Sequence, residues 1–335
     1  MTSEDILQLM AHGNFPKPCV KPELIETHIS WVIICGDDVY KIKKPIRYPF
    51  LDFSTIEKRR HFCERELQLN QRLTRSMYLD VVPVFIESNI YHVGEGSGQP
   101  VEYAVHMRSM DRSRQMDVLL RQAQVTPAHI IALADQIVSF HQRAVVLRQS
   151  NPLLVGEQFN GLLDVQDIVR RFLGADTFHQ IHQAVAWSDQ FMEQHRLMLL
   201  QRSKEGFIRD VHGDLHSRNI FLLEEPVVFD CIEFNDSFRQ IDVLNEVAFL
   251  CMDLDAYGRE DLSRLFINHY NNLFPVIRSQ EEQLLFSYFK AYRANVRAKV
   301  NALRAASTED NAARAVAMNE SVRYFNLLNA YAGAA

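Results

Sequence analysis

The sequence predicts an α+β fold in two lobes: a small N-terminal sheet lobe carrying one helix, then a larger, mostly helical C-terminal lobe. Three observations predict it. Residues 1–107 hold short β-branched alternating runs around one strong helical stretch. After Asp111 the apolar residues recur at helical spacing. A single short β signal, Ile220 to Phe234, interrupts the helices that follow. The division is expected as 1–107, the sheet lobe, and 108–335, the helical lobe.

Each element has its own signal. Ile29 to Ile34 is apolar and β-branched, Gly36-Asp37-Asp38 signals a turn, and Val39 to Lys43 alternates again, which together predict a hairpin. Thr55 to Leu73 reads as a helix, with Thr55 as N-cap and Phe62, Leu67, Leu69 and Leu73 as apolar marks. Val81 to Ile86 and Tyr103 to Met107 read as strands, with the glycine-rich loop Gly94 to Gly98 between them. Pro127 to Arg143 carries Ile130, Leu133, Ile137 and Phe140 at helical spacing, and Phe140-His141 reads as a core pair. Asp164 to Leu173, Ile181 to Leu200, Leu285 to Leu303 and Ala312 to Ala332 also read as helices; Trp187, Phe191 and Met192 are assigned to the core.

Composition narrows the function. The chain has 335 residues, 47% hydrophobic and 23% charged, with a net charge of −6. An acidic chain without a long Lys/Arg run is a poor partner for nucleic acid. The five cysteines, Cys19, Cys35, Cys63, Cys231 and Cys251, are scattered, which argues against a disulfide framework and for a reducing compartment. The acidic start Met1-Thr2-Ser3-Glu4-Asp5 lacks the basic head and apolar run of a signal peptide, and no run of ~18 apolar residues suggests a membrane span. The expectation is a cytoplasmic protein without a membrane partner. The sequence does not specify an oligomeric state.

The chemistry concentrates in Val211-His212-Gly213-Asp214-Leu215-His216-Ser217-Arg218-Asn219 and the apolar runs that follow it, which flank Glu224-Glu225-Pro226 and end at Asp230. The two runs read as antiparallel strands. A turn centred between Glu224 and Glu225 would set Asn219 opposite Asp230, their Cβ atoms roughly 4.5–5.5 Å apart on one face. Two oxygen donors so placed suit a hard cation such as Mg²⁺. Read instead as a zinc cluster, His212-x-Asp214-x-His216 lacks a further His-rich segment to complete its ligands.

The spacing His-x-Asp-x-x-x-x-Asn followed by an Asp is that of the kinase catalytic loop. Its His212-Gly213-Asp214 form resembles the aminoglycoside phosphotransferase and choline kinase branch of the protein-kinase-like fold. Ile241 to Phe249 is similar to the Asp-bearing stretch downstream in that family, and Glu64-Arg65-Glu66 to its Glu-bearing helix. The resemblance implies an ATP–Mg²⁺-dependent transfer of the γ-phosphoryl group to a hydroxyl of a small molecule. It implies Asp214 as the catalytic acid–base residue, Asn219 and Asp230 as Mg²⁺ ligands, and a structural role for His212 and Asp242. Cys231-Ile232-Glu233 replaces the usual Phe-Gly after the metal Asp, so Glu233 is an extra candidate ligand.

Lys41, Lys43 and Lys44 are candidates for the phosphate lysine. Lys41 is favoured because the residue two before it, Val39, is apolar and suits an adenine pocket; Lys43 is the alternative. Glu66 is its expected partner, with Glu64 the alternative. Adenine is expected to bond backbone groups near Arg108 and Met110. In place of a G-x-G-x-x-G loop, Thr27, His28 and Ser30 offer donors to phosphate. Arg293 and Arg297, one turn apart, and Lys299 are expected to pair with acids such as Asp242 or Glu246, the alternative for the two arginines being an anionic substrate. Asp253 and Asp255 are the acids available for a polycationic acceptor. A non-catalytic nucleotide-binding module and nucleotidyl transfer to a protein are the rival functions.

Overall fold

The computed structural model of the chain describes residues 1–48 and 50–334. They form two compact units: Met1–Val118 with Asn219–Phe238, and Leu119–Arg218 with Arg239–Ala335. The division therefore differs from a single cut at 107. The segment 219–238 groups with the first unit because its hairpin is bonded there. Gln115 bridges Phe221, the Leu222 N–H donates to the Arg114 carbonyl at 2.9 Å, and Phe221 and Val227 enter that unit's core.

The first unit begins with helix α1 (Ser3–His12), capped by Thr2 and Asp5 in a reciprocal capping box. Strands β1 (Glu23–Glu26), β2 (Ser30–Cys35) and β3 (Asp38–Lys43) follow. A short ladder of β4 (Arg47–Tyr48) and β5 (Leu51–Asp52) leads to helix α2 (Ile56–Asn70), and then come β6 (Tyr78–Glu87), β7 (Ile90–Val93) and β8 (Glu102–Arg108). Six of these strands make one antiparallel sheet in the order β1-β2-β3-β8-β6-β7. The hairpin expected from Gly36 is present: Cys35 pairs with Asp38 across a two-residue turn, with Gly36 at φ 63°, a left-handed conformation that suits glycine.

Alternation along the strands splits the apolar residues between two faces. Ile33, Tyr40 and Ile42 pack with Ile6, Leu9 and Trp31 in one cluster that includes α1. Val39, Val105 and Met107 pack on the other side with Cys63 of α2, Tyr78, Phe221 and Val227. Lys41 and Lys43, in phase with Val39, belong to this second face.

Helix α2 has Thr55 as its N-cap, as expected, but a different buried stripe. Its buried residues include Arg59, Cys63, Glu66 and Asn70, a row at helical spacing that is mostly polar. A sequence reader looking for apolar residues misses such a face, which survives burial because its polar groups are bonded. Arg59 Nε reaches both Glu102 oxygens at 2.9 Å, and Asn70 accepts the Cys231 N–H at 2.9 Å.

One sequence expectation is overturned outright. Cys19 and Cys35 are joined in a disulfide, their Cα atoms 5.2 Å apart, while Cys63, Cys231 and Cys251 are buried outside any disulfide. The pairing is invisible in spacing because a turn and strand β1 bring back the end of β2 to the loop after α1.

The second unit is helical. Helix Pro127–Arg143 agrees with its predicted span, and His141 is buried with Nδ1 bonded to the Tyr270 hydroxyl at 2.7 Å. The stretch predicted as Ile181 to Leu200 is two helices, Ala175–Gln194 and Arg196–Glu205, broken at His195. Helix Val243–Ala256 was not predicted. Residues 243–255 are all buried, so no amphipathic period marks it. It packs against Gln280–Ser307 and Glu260–Leu273, and Gln280–Ser307 also pairs along its length with Asn311–Ala334. Arg202 grips the N-cap Asp242 with two bonds of 2.7 and 2.9 Å and Glu282 with one of 2.7 Å, which fixes the start of the buried helix. Among the described residues, no helix is long and apolar enough to cross a membrane.

Candidate active site

In the first unit β3 carries Lys41 and Lys43 towards α2, and Glu66 meets both. Lys41 Nζ lies 2.7 Å from Glu66 Oε1, and Lys43 Nζ lies 2.7 Å from Oε2. Lys41 also reaches Asp230 Oδ1 at 2.6 Å, and Lys43 donates to Glu233. Glu66 and Lys43 are fully buried, whereas the Asp230 side chain is 43% exposed. Burial pushes the Glu66 carboxyl up, but the two lysines outweigh it and bring it down to about 2. Burial works against the Lys41 charge, and Asp230 and Glu66 reverse that and raise it. Glu233 stays raised, since burial and Glu66 outweigh Lys43.

The favoured pair of Lys41 and Glu66 is thus in direct contact, and Glu66 serves Lys43 as well. The alternative Glu64 is exposed and pairs with Arg60 at 2.8 Å. Lys44 turns instead to Glu26 and the Thr27 carbonyl, at 2.7 and 2.6 Å. Glu233 is committed to Lys43 rather than standing free as an extra metal ligand.

Asp230 has φ 64°, a left-handed backbone that costs a non-glycine residue about 1 kcal/mol. Neighbouring bonds hold it there: its N–H meets the Tyr78 hydroxyl at 3.2 Å, and the next N–H is taken by Asn70. The ladder register differs by one from the expectation. Ile220 pairs with Val228 and Phe221 with Val227, so Asn219 stands opposite Phe229, whose N–H it accepts at 3.0 Å. The expected turn would have paired Leu223 with Pro226, which has no N–H to close it. Asn219 is therefore one position from Asp230's partner, buried, and at the end of the turn Ser217–Asn219.

The five charged groups comprise two lysines and three carboxylates, an excess of one negative charge. Asp230 has a second oxygen outside its bond to Lys41, and Asn219 adds an amide oxygen donor one ladder position away. This donor set, all oxygen and partly exposed, fits a hard divalent cation. Val39, Val105, Met107 and Phe221, with Met110 and Phe229 partly buried beside them, form an apolar wall on the Lys41 face. The Arg108 N–H is donated to the Met77 carbonyl at 2.8 Å, so it does not serve as the expected adenine donor. Ser30 is buried with no partner for its hydroxyl. Thr27 closes the preceding turn by accepting the Ser30 N–H at 2.9 Å and donating to its carbonyl at 3.0 Å.

Asp214 belongs to the second unit, where hydrogen bonds build its loop. The Glu246 carboxylate, inside the buried helix, accepts the His212 and Gly213 N–H groups at 2.7 and 2.8 Å. Arg293 donates to the Gly213 carbonyl at 3.0 Å and to Asn245 Oδ1 at 2.7 Å, and Asp253 accepts the Ser217 N–H at 2.8 Å. Gly213 sits at φ 88°, where a side chain would be strained. The Asp214 N–H goes to His212 Nδ1 at 3.2 Å, which gives that buried histidine its structural role. His216 Nδ1 accepts the Arg218 N–H at 3.2 Å, so its proton resides on Nε2 and faces Asp214 Oδ2 at 3.3 Å. Burial pushes the Asp214 carboxyl up, yet His216, Arg297 and His212 outweigh it and hold it well below the usual range.

Sequence reasoning gave Tyr78 no part, and it foresaw neither the bonds of Glu246 and Asp253 to backbone N–H groups nor Lys43 as a second partner of Glu66. The signal for Glu246 was available: a lone carboxylate in an otherwise apolar run must be buried and bonded.

No family model matches the chain. Two curated relatives, uncharacterized proteins of Mycobacterium tuberculosis (strain H37Rv) and Mycobacterium bovis, are 32% identical over 311 residues, 90% of this chain and 59% of theirs. The chain thus spans about three-fifths of the length of the relatives it matches. Among solved structures, the choline kinase of Cryptosporidium parvum aligns at TM-score 0.57 and 11% identity, over 98% of this chain and 94% of its own. The GDP and kanamycin complex of the aminoglycoside phosphotransferase APH(2")-IIia aligns at 0.54 and 13%, over 98% and 99%. A choline/ethanolamine kinase family protein of Mesorhizobium loti aligns at 0.50 and 13%, over 100% and 99%. At these identities the likeness is one of fold: the chain has the protein-kinase-like fold of choline/ethanolamine kinases and aminoglycoside phosphotransferases.

Proposed function

We propose that the chain is an ATP–Mg²⁺-dependent phosphotransferase that moves the γ-phosphoryl group to a hydroxyl of a small molecule. One observation carries the reading: Lys41 is held between Glu66 and Asp230, the contact expected of a phosphate lysine between its helix acid and a metal-binding acid. Asn219 and Asp230 would hold Mg²⁺, which supplies charge neutralisation for the phosphates. Lys41 binds phosphate oxygens and is kept charged and aimed by Glu66. The apolar wall around Val39, with Met110 and Phe229 at its edge, receives the adenine ring.

Asp214 handles the acceptor. Its ionised carboxylate accepts the hydroxyl proton as the acceptor oxygen bonds to the γ-phosphorus. The bond from that phosphorus to the bridging oxygen breaks, and ADP leaves with the electron pair. The His216 Nε2–H holds one carboxylate oxygen in place. Phosphoryl transfer asks mostly for positioned charge, which these groups supply.

The test is ADP release with ATP and Mg²⁺ against a panel of hydroxyl compounds, with intact mass of the protein followed in parallel. GTP belongs in the panel because some proteins of this fold were solved as GDP complexes. Turnover that is lost in Asp214→Asn supports the reading. Turnover that survives it, or an added AMP on the protein, overturns it. A cytoplasmic location agrees with the requirement for ATP.

A further inference from the structure

The identity of the acceptor is open in the reading above, and the second unit bears on it. The acids offered for a cationic acceptor are both engaged. Asp253 accepts the Ser217 N–H at 2.8 Å and the Tyr324 hydroxyl at 3.3 Å. Asp255 meets Lys290 Nζ at 3.0 Å and the Tyr331 hydroxyl at 2.6 Å.

Two arginines are less fully engaged: Arg323 Nη2 reaches the Tyr324 hydroxyl at 3.5 Å, and each keeps an unpaired Nε. Of the two arginines on the helix Gln280–Ser307 considered for an anion, Arg293 is spent on Asn245 and Gly213; Lys299 on the same helix pairs with Asp164 at 2.7 Å. Arg297 has a buried Nε without a hydrogen-bond partner, its guanidinium 5.4 Å from the Tyr324 ring centre. On the following helix Arg323 repeats the pattern. Its Nε is buried without a partner, and its guanidinium lies 5.4 Å from the Tyr257 ring and 5.1 Å from that of Tyr324. Arg218, in contrast, is balanced by Glu320 at 2.6 Å.

Arg323 also lines an open pocket of about 390 Å³, with Asp255, Asn319, Val322 and Asn326. Since Asp255 is bonded to Lys290, the pocket keeps a cation, two side-chain amides and an apolar edge. Buried donors in native proteins are nearly always paired, so the two unpaired guanidinium Nε–H groups beside Tyr324 mark arginines whose hydrogen-bonding capacity the chain itself does not fill, and Arg323 is the one that lines the pocket. Aromatic rings on the guanidinium faces hold such a group flat and ready for an oxyanion. The Arg297 charge also helps to hold the Asp214 carboxyl down, and Asp253 and Asp214 in turn raise Arg297.

We propose that this pocket binds an oxyanion, a phosphate or carboxylate, carried by the hydroxyl acceptor, with Arg323 as its anchor. The inference rests on the phosphotransferase reading and narrows its substrate to anionic hydroxyl compounds. It sets this chain apart from proteins of the same fold named for choline or solved with kanamycin.

The experiment uses the whole chain with ATP and Mg²⁺ and follows ADP. The acceptors are glycerol 3-phosphate and ribose 5-phosphate for the phosphate arm, glycerate for the carboxylate arm, and glycerol, ribose, choline and kanamycin for comparison. The expected result is a kcat/KM for an anionic acceptor at least tenfold above that of its uncharged parent. Arg323→Gln should then raise KM for that acceptor roughly tenfold, with Arg323→Lys intermediate, because a charge-assisted bond is lost. The melting shift produced by ATP–Mg²⁺ should remain in both variants, which also shows that they fold. Preference for choline or kanamycin overturns the inference, as does an unchanged KM in Arg323→Gln, or anionic acceptors that neither turn over nor raise the melting temperature. If ATP–Mg²⁺ gives no melting shift in the unaltered chain, the phosphotransferase reading itself fails, and that failure is recognisable before any acceptor is added.

Discussion

The charged cluster around Lys41 and the loop around Asp214 are both built from buried acids, but they are held by different means. In the first, cation faces anion: Glu66 between two lysines, Lys41 between two carboxylates. In the second, the carboxylates of Glu246 and Asp253 accept backbone N–H groups, and Asp214 is steered by a histidine. Ion pairs can exchange partners when a charged ligand arrives, whereas bonds to backbone amides fix the course of the chain. The contrast suits the proposed division of labour. Lys41 must give up Asp230 in part to meet phosphate, while Asp214 must wait in one position for a proton.

The most severe break of this comparison is at Asp214. Asp214→Asn removes the proton acceptor and should lower kcat by about 10²–10⁴, with nucleotide affinity nearly unchanged. Steady-state kinetics beside a nucleotide-induced melting shift checks both parts. Next is Glu66→Ala, which leaves two buried lysines without their shared partner. It should destabilise the first unit by about 3–5 kcal/mol, read from urea denaturation, and weaken nucleotide binding. Glu246→Gln tests the other means of support. It loses the charge of the acceptor that fixes His212 and Gly213, and should cost about 1–3 kcal/mol while reducing kcat more than it changes the KM for ATP.

The last test is of pH. Glu66 lies at about 2 in the folded chain against an ordinary 4.5, so the unfolded state binds the proton more readily. Its contribution to stability is complete above pH 4.5 and is lost as pH falls from there towards 2. The acid limb of a stability–pH curve should flatten in Glu66→Gln relative to the unaltered chain. An unchanged limb would mean that the clamp between the lysines is not what depresses this carboxyl.

Part of the candidate site's framework was legible in the sequence, through its patterning and through its resemblance to a known family's motifs. Lys41 with Glu66, and Asp214 on a glycine turn, could be placed from the alternation of β3, the helix that follows it and the His-Gly-Asp frame. What escaped the sequence was whatever depended on a missing or averaged signal. The hairpin register slipped by one because Pro226 cannot close the tighter turn, and that moved Asn219 opposite Phe229. The helix Val243–Ala256 has no exposed face and therefore no period. The buried stripe of α2 is polar, so hydrophobic marks pointed elsewhere. The hairpin 220–228 follows the helical segment in sequence yet groups with the sheet, because Arg114 and Gln115 reach it through bonds that no local pattern announces. The Cys19–Cys35 pair arose from return of the chain, not from spacing.

The left-handed backbone at Asp230 has a consequence for which sequences this position can accept. Besides glycine, the residues that tolerate positive φ best are Asn and Asp, and these two also end in an oxygen donor on a short stem. Conformation and the proposed coordination thus filter for the same pair of amino acids. A drift to Glu would move the donor outward and incur strain, and a drift to Gly would relieve the strain and remove the donor. The bend itself narrows the alphabet here, ahead of any demand made by a substrate.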